Sequence, residues 1–157
     1  MSKAVFTTVR GAFAGLAMAV ATLTLSGCGS SDDDSNYVEQ PVEVLYNRAL
    51  DDLGTQNYKA AAKGFEEVDR QHPYSVWATK AQIMAAFAYY QSNQYDEAII
   101  ALDRFIQLHP GHRDIPYAYY LKALCFYEQI SDVGRDQRVT QQALDALAEV
   151  VKRFPES

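Results

Sequence analysis

The chain repeats itself with a period of 37 residues, and that period limits the fold more than any local motif does. The run Tyr58-x-x-Ala61-x-x-x-Phe65-x-x-Val68-x-x-x-x-Pro73 is followed 37 residues later by Tyr95-x-x-Ala98-x-x-x-Leu102-x-x-Phe105-x-x-x-x-Pro110. Upstream, Ala49, Ala86 and Ala123 keep the same 37-residue step. A third copy, Ala143-x-x-x-Leu147-x-x-Val150-x-x-x-x-Pro155, ends 45 residues after the second, so eight residues have entered before it. Each copy stops at a proline, which cannot continue a helix and biases the preceding residue away from the helical region. Units of this length stack on their neighbours, because none buries its apolar face alone. The pattern predicts helices near 42–54, 58–71, 76–92, 95–108, 114–130 and 138–153, with Asn57, Ser75 and Asp114 as N-caps.

These positions resemble the tetratricopeptide repeat. The resemblance implies that Ala49, Ala86 and Ala123 face Ala61, Ala98 and Ala143 where the two helices of a hairpin meet, since only small side chains let the backbones approach. Tyr58 and Tyr95 would open each second helix and plug the turn, while Phe65, Leu102 and Leu147 fill the layer between hairpins. The expected fold is all-α, a right-handed tetratricopeptide-repeat superhelix of three helical hairpins at about 42–75, 76–113 and 114–157.

The resemblance also places repeat positions 2, 5, 9 and 12 of each first helix on the concave face. They are Glu43, Tyr46, Leu50 and Leu53, then Lys80, Ile83, Phe87 and Tyr90, then Tyr117, Tyr120, Leu124 and Tyr127. Six are aromatic: Tyr46, Phe87, Tyr90, Tyr117, Tyr120 and Tyr127. An open face carrying that much apolar area is a binding surface, and tyrosine offers contact area at low entropic cost with a polar tip. These six are the expected peptide-binding residues, for an extended segment rich in aromatic and aliphatic side chains. The competing reading is that an absent partner or further repeats cover the face as structure. Lys80, the one base there, is the candidate to meet a terminal carboxylate, and Tyr89 is expected in the core.

The beginning of the chain is of another kind. Residues 1–10 carry Lys3 and Arg10, and residues 11–25 (GAFAGLAMAVATLTL) are uncharged and rich in small apolar side chains, which reads as a secretory signal over 1–27. Fifteen helical residues reach about 22 Å, short of the roughly 30 Å hydrocarbon core. Leu25-Ser26-Gly27-Cys28 resembles the bacterial lipobox, which makes Cys28 the expected lipid-attachment site; several acyl chains there would form a stable anchor. Gly29 in place of Asp favours outer-membrane sorting in that resemblance. Residues 28–41 are the lipidated N-terminus and tether, of which 30–36 (SSDDDSN) contain no apolar residue. The other thiol, Cys125, lies in an apolar helical run and is expected in the core, unreactive.

Several functions are excluded or disfavoured. The chain carries a net charge of -6, its first 27 residues hold two bases and no acid, and no block of Lys or Arg follows, so nucleic acid is not an expected partner. His72 and His109 share one repeat position before the helix-ending proline, where histidine complements the negative end of a helix dipole; no metal site is expected from them or from His112. Phosphate loops and zinc-protease or Cys-x-x-Cys motifs do not occur, and the scattered acids nominate no acid/base pair. The chain is therefore read as a non-enzyme without a cofactor beyond covalent lipid. The insertion near 130–138 departs most from the repeat: Arg135 and Asp136 either contact a partner from the rim or belong to an ordered loop whose acids cap helix ends.

With lipobox, acidic tether and long-period repeats together, the chain resembles the BamD (ComL) family of outer-membrane assembly lipoproteins. Pro73-Tyr74-Ser75, Gln94-Tyr95-Asp96-Glu97-Ala98 and above all residues 127–137 (YEQISDVGRDQ) carry the likeness. It implies a periplasmic scaffold, lipid-anchored to the outer membrane, that recognises C-terminal targeting segments of unfolded outer-membrane proteins and hands them to the barrel-forming subunit, beside other lipoprotein subunits of the assembly complex. Members have about five repeats, so a chain ending after the third is expected to be truncated. The alternative is a repeat lipoprotein coordinating cell-envelope division or peptidoglycan synthesis.

Overall fold

A computed structural model describes residues 39–130 and 137–156. The six helices are α1 (Val42–Gly54), α2 (Tyr58–Gln71), α3 (Val76–Gln91), α4 (Tyr95–Leu108), α5 (Ile115–Glu128) and α6 (Gln137–Arg153), and no strand occurs among the described residues. The fold is all-α, three antiparallel hairpins stacked in the order of the sequence. Each helix packs on the next, and the first helices of successive hairpins also touch, α1 with α3 and α3 with α5. The second helices α2, α4 and α6 do not meet one another in that way. First helices drawn together and second helices held apart bend the stack, with α1, α3 and α5 on its inner side.

The repeat is visible in the backbone itself. The bond from Asn57 N–H to Asp52 C=O (2.8 Å) recurs from Gln94 to Tyr89 (2.9 Å), and that from His72 to Val68 (3.0 Å) recurs from His109 to Phe105 (2.9 Å). Gln56 and Asn93, also 37 residues apart, both turn through positive φ (63° and 59°) between the helices of their hairpins. Asparagine tolerates that left-handed conformation; glutamine has no such preference.

Small residues occupy the helix crossings as expected: Ala49, Ala61, Ala86, Ala98, Ala123 and Ala143 are all buried. Gly64 belongs with them, since a Cβ on it would lie 2.9 Å from the Ala49 Cβ. Phe65 and Leu102 fill the layers after their hairpins with no exposure. Leu147 remains partly exposed, because no described element packs beyond α6. α3 is apolar on both sides: Ala81, Ala85 and Ala88 join the cluster around Phe65, while Ile83 and Ala86 join the one around Phe105. Burying each such phenylalanine contributes about 1.5–3 kcal/mol.

The capping expectations were met in one case of three. Ser75 accepts from Ala78 N–H at 3.1 Å. Asn57 and Asp114 sit at the N-cap positions but make no side-chain cap bond. Asn57 instead donates to Asp52 Oδ1 at 3.4 Å, and Asp114 faces His112 Nδ1 (3.6 Å) and Arg113 (3.4 Å). The Asp114 N–H donates to His112 Nδ1 at 3.2 Å, so Arg113 is the cation beside the Asp114 carboxylate. His72 and His109 are the C-cap residues of α2 and α4. Their Nε2 atoms reach Gln40 O (2.7 Å) and Gln82 Oε1 (2.9 Å), so each histidine ties the end of a second helix to a preceding segment.

Candidate functional site: the aromatic inner face

The inner face is built by α3 and α5. Phe87 and Tyr90 of α3 are half-buried, whereas Tyr117, Tyr120 and Tyr127 of α5 are exposed at 42%, 45% and 56%. Between the two helices lies a cavity of ≈ 300 Å³ lined by Ile83, Met84, Phe87, Asp114 and Tyr117. Its walls are apolar, and Asp114 supplies one carboxylate at the rim. Tyr90 Oη donates to Glu128 Oε1 at 3.4 Å, linking the helices at the other end of the face. Tyr90 and Tyr95 rings stand 5.9 Å apart.

Burial raises the pKa of Tyr117 and of Tyr90, and Glu128 adds to the rise at Tyr90. These hydroxyls therefore stay protonated at neutral pH and present O–H donors on an aromatic surface. Lys80 lies over the Trp77 ring, 5.3 Å from its centroid, and so stands at the edge of the face. It also borders a second cavity of ≈ 400 Å³ with Val76, Thr79, His109, His112, Arg113 and Asp114.

Tyr46 does not belong to the open face. Its side chain is 9% exposed and packs against Phe65 (5.4 Å between ring centroids) and Trp77 (4.8 Å). The first helix of the next hairpin covers it, so a repeat position expected to face the groove is core here. Ile83, at the same repeat position in α3, is likewise 8% exposed. Met84 and Asp114, by contrast, line the cavity although the repeat pattern does not point to them: Met84 falls one residue off the groove spacing, and the sequence marks Asp114 only as a cap. Tyr89 packs against both core clusters, as expected. Cys125 is fully buried and its thiol pKa is pushed up to about 12 by that burial. Cys28, Arg135 and Asp136 lie outside the described residues. Among the described residues, no three His, Cys, Asp or Glu side chains converge as metal ligands, and no helix is long and apolar enough to cross a membrane.

The described residues thus form a stack of tetratricopeptide-type hairpins with an aromatic inner face. A family model described as "YfiO: Outer membrane lipoprotein" matches residues 38–157, and the chain belongs to that family. It is similar to the outer membrane protein assembly factor BamD of Caulobacter vibrioides, 46% identical over 142 residues covering 89% of this chain and 47% of that protein. BamD of Rickettsia prowazekii is 42% identical over 88% of this chain and 55% of its own length. For BamD of Neisseria meningitidis serogroup B the figures are 36%, 86% and 56%. The chain thus spans about half the length of the curated relatives it matches.

Proposed function

We propose that the chain acts in outer-membrane protein assembly as a non-enzymatic scaffold, lipid-anchored through Cys28 and facing the periplasm, that binds C-terminal targeting segments of unfolded outer-membrane proteins. The observation that carries the reading is the apolar cavity between Phe87 and Tyr117, flanked by exposed tyrosines on one inner face. A segment of alternating aromatic and aliphatic side chains can seat one ring there and lay a neighbour on Tyr127, whose hydroxyl donates to a backbone carbonyl. The net charge of -6 suits no polyanionic client. Names of the relatives support the coarse role in assembly, and the client class rests on the face itself. Barrel-forming and lipoprotein subunits of the assembly complex are the proposed partners.

A photoreactive peptide copying the aromatic-ended last strand of an outer-membrane protein should crosslink around Phe87, Tyr90 and Tyr117. Equal yield from a scrambled peptide of the same composition would overturn the client assignment.

A further inference from the structure

The second helices leave a groove on the outer side of the stack. α2 and α4 both pack on α3 without packing on each other, and a cavity of ≈ 200 Å³ opens between them. Ala85, Phe65 and Ala101 supply its apolar lining, and Ile100, 70% exposed, projects as a wall. One end is closed by a polar chain: His109 Nε2 to Gln82 Oε1 (2.9 Å), Gln82 Nε2 to Asp69 Oδ1 (2.8 Å), and Asp69 Oδ2 to Arg104 (3.1 Å). At the other end Tyr89 Oη donates to Glu66 Oε1 at 2.6 Å, which fixes that carboxylate over the groove. Glu97 approaches from α4; burial raises the pKa of the Tyr89 hydroxyl, and Glu66 and then Glu97 add to the rise.

The charges select the occupant. Three carboxylates line the groove, and the one base, Arg104, is already paired with Asp69. Glu97 has no ion pair among the described residues. The cavity is smaller than the roughly 300–1,000 Å³ of small-molecule sites, so it fits one long side chain rather than a whole ligand. An arginine meets each requirement: its stem lies along the apolar lining, its planar head stacks beside Tyr89, and its fork engages carboxylates from two sides. We propose that this outer groove docks an arginine-bearing extended segment of a polypeptide partner, the guanidinium seated between Glu66 and Glu97 and a neighbouring aliphatic side chain covering Ile100. The site is separate from the aromatic inner face and stands or falls independently of the client assignment.

The test is in-cell photocrosslinking with p-benzoylphenylalanine in place of Ile100 in the full-length protein, the linked partner peptide being sequenced by mass spectrometry. The linked segment should contain an arginine within about three residues of the attachment point. The pair Glu66→Gln and Glu97→Gln should lower the adduct yield about tenfold, while crosslinking from the inner face at Phe87 stays unchanged. Glu66→Gln keeps an acceptor for Tyr89, and Glu97→Lys, a single exposed change, should abolish the adduct without altering the melting curve. An adduct indifferent to these changes, a linked segment without arginine, a second copy of this chain as the linked partner, or no adduct at all would each overturn the proposal.

Discussion

Replacing Gly64 by alanine tests whether the close approach of α1 and α2 holds the first hairpin together. Gly64 lies inside α2, where glycine is about 0.8–1.0 kcal/mol less favourable than alanine on helix propensity alone. An added Cβ, however, would stand 2.9 Å from Ala49 Cβ and 3.3 Å from Ala49 Cα, against an optimum of about 3.5–4.0 Å between carbons. Ala49 is fully buried, and the atoms met are its Cβ and its backbone, so no flexible side chain can swing aside. Overpacking of this kind costs about 1–3 kcal/mol, which exceeds the propensity gain and leaves a net loss of about 1 kcal/mol. Gly54, the last residue of α1, meets nothing within 4 Å on gaining a Cβ and has no positive φ. Gly54→Ala should therefore have the opposite sign, stabilising by about 0.4–1 kcal/mol.

Urea denaturation followed by circular dichroism measures both changes in the soluble, leaderless protein. A double-mutant cycle isolates the cause: Ala49→Gly removes one of the two colliding methyl groups, so Gly64→Ala should be better tolerated in that background, with a coupling of about 1–2 kcal/mol. If Gly64→Ala stabilises as much as Gly54→Ala does, or if the cycle is additive, the helices are not locked at this contact and the reasoning fails.

Gln56→Gly should stabilise by about 0.5–1 kcal/mol in the same assay, because it relieves the left-handed backbone of a residue with φ 63°. Asn93→Gly should gain less, since asparagine tolerates that conformation and its Oδ1 accepts from Tyr95 Oη at 2.9 Å. Cys125 should resist thiol reagents at pH 8 until the chain unfolds; with its pKa raised from 9.0 to about 12, its contribution to stability is complete below pH 9 and is lost as pH rises towards 12, which a Cys125→Ala variant should not show. Cys28→Ser should move the protein from the membrane fraction to the soluble periplasm, and unchanged fractionation would refute the lipid anchor.

The helix boundaries were legible because the sequence states them twice. Prolines at a fixed position, small residues at the crossings and a 37-residue step repeat one backbone, and all six helices lie within two residues of expectation at each end. What the period could not reveal is how equivalent positions come to differ once hairpins are stacked. Tyr46, Ile83 and Tyr120 share one repeat position, yet the first two are 9% and 8% exposed and the third is 45% exposed. Trp77 of α3 covers Tyr46, and α5 lies against α3 in the same sense; beyond α5 no described first helix does the same for Tyr120. That repeat position is therefore interfacial, and the exposure of Tyr120 reflects its place in the stack. Positions held by Tyr117 and Tyr127 behave differently: their counterpart Lys80 is exposed, and Tyr90 remains half-exposed although α5 follows it. A client on the inner face should then depend on Phe87, Tyr90, Tyr117 and Tyr127 more than on Tyr120. Substituting each by alanine in the peptide-crosslinking assay orders them, and a dominant loss at Tyr120 alone would mean that the peptide covers the end of the stack instead of lying along its inner side.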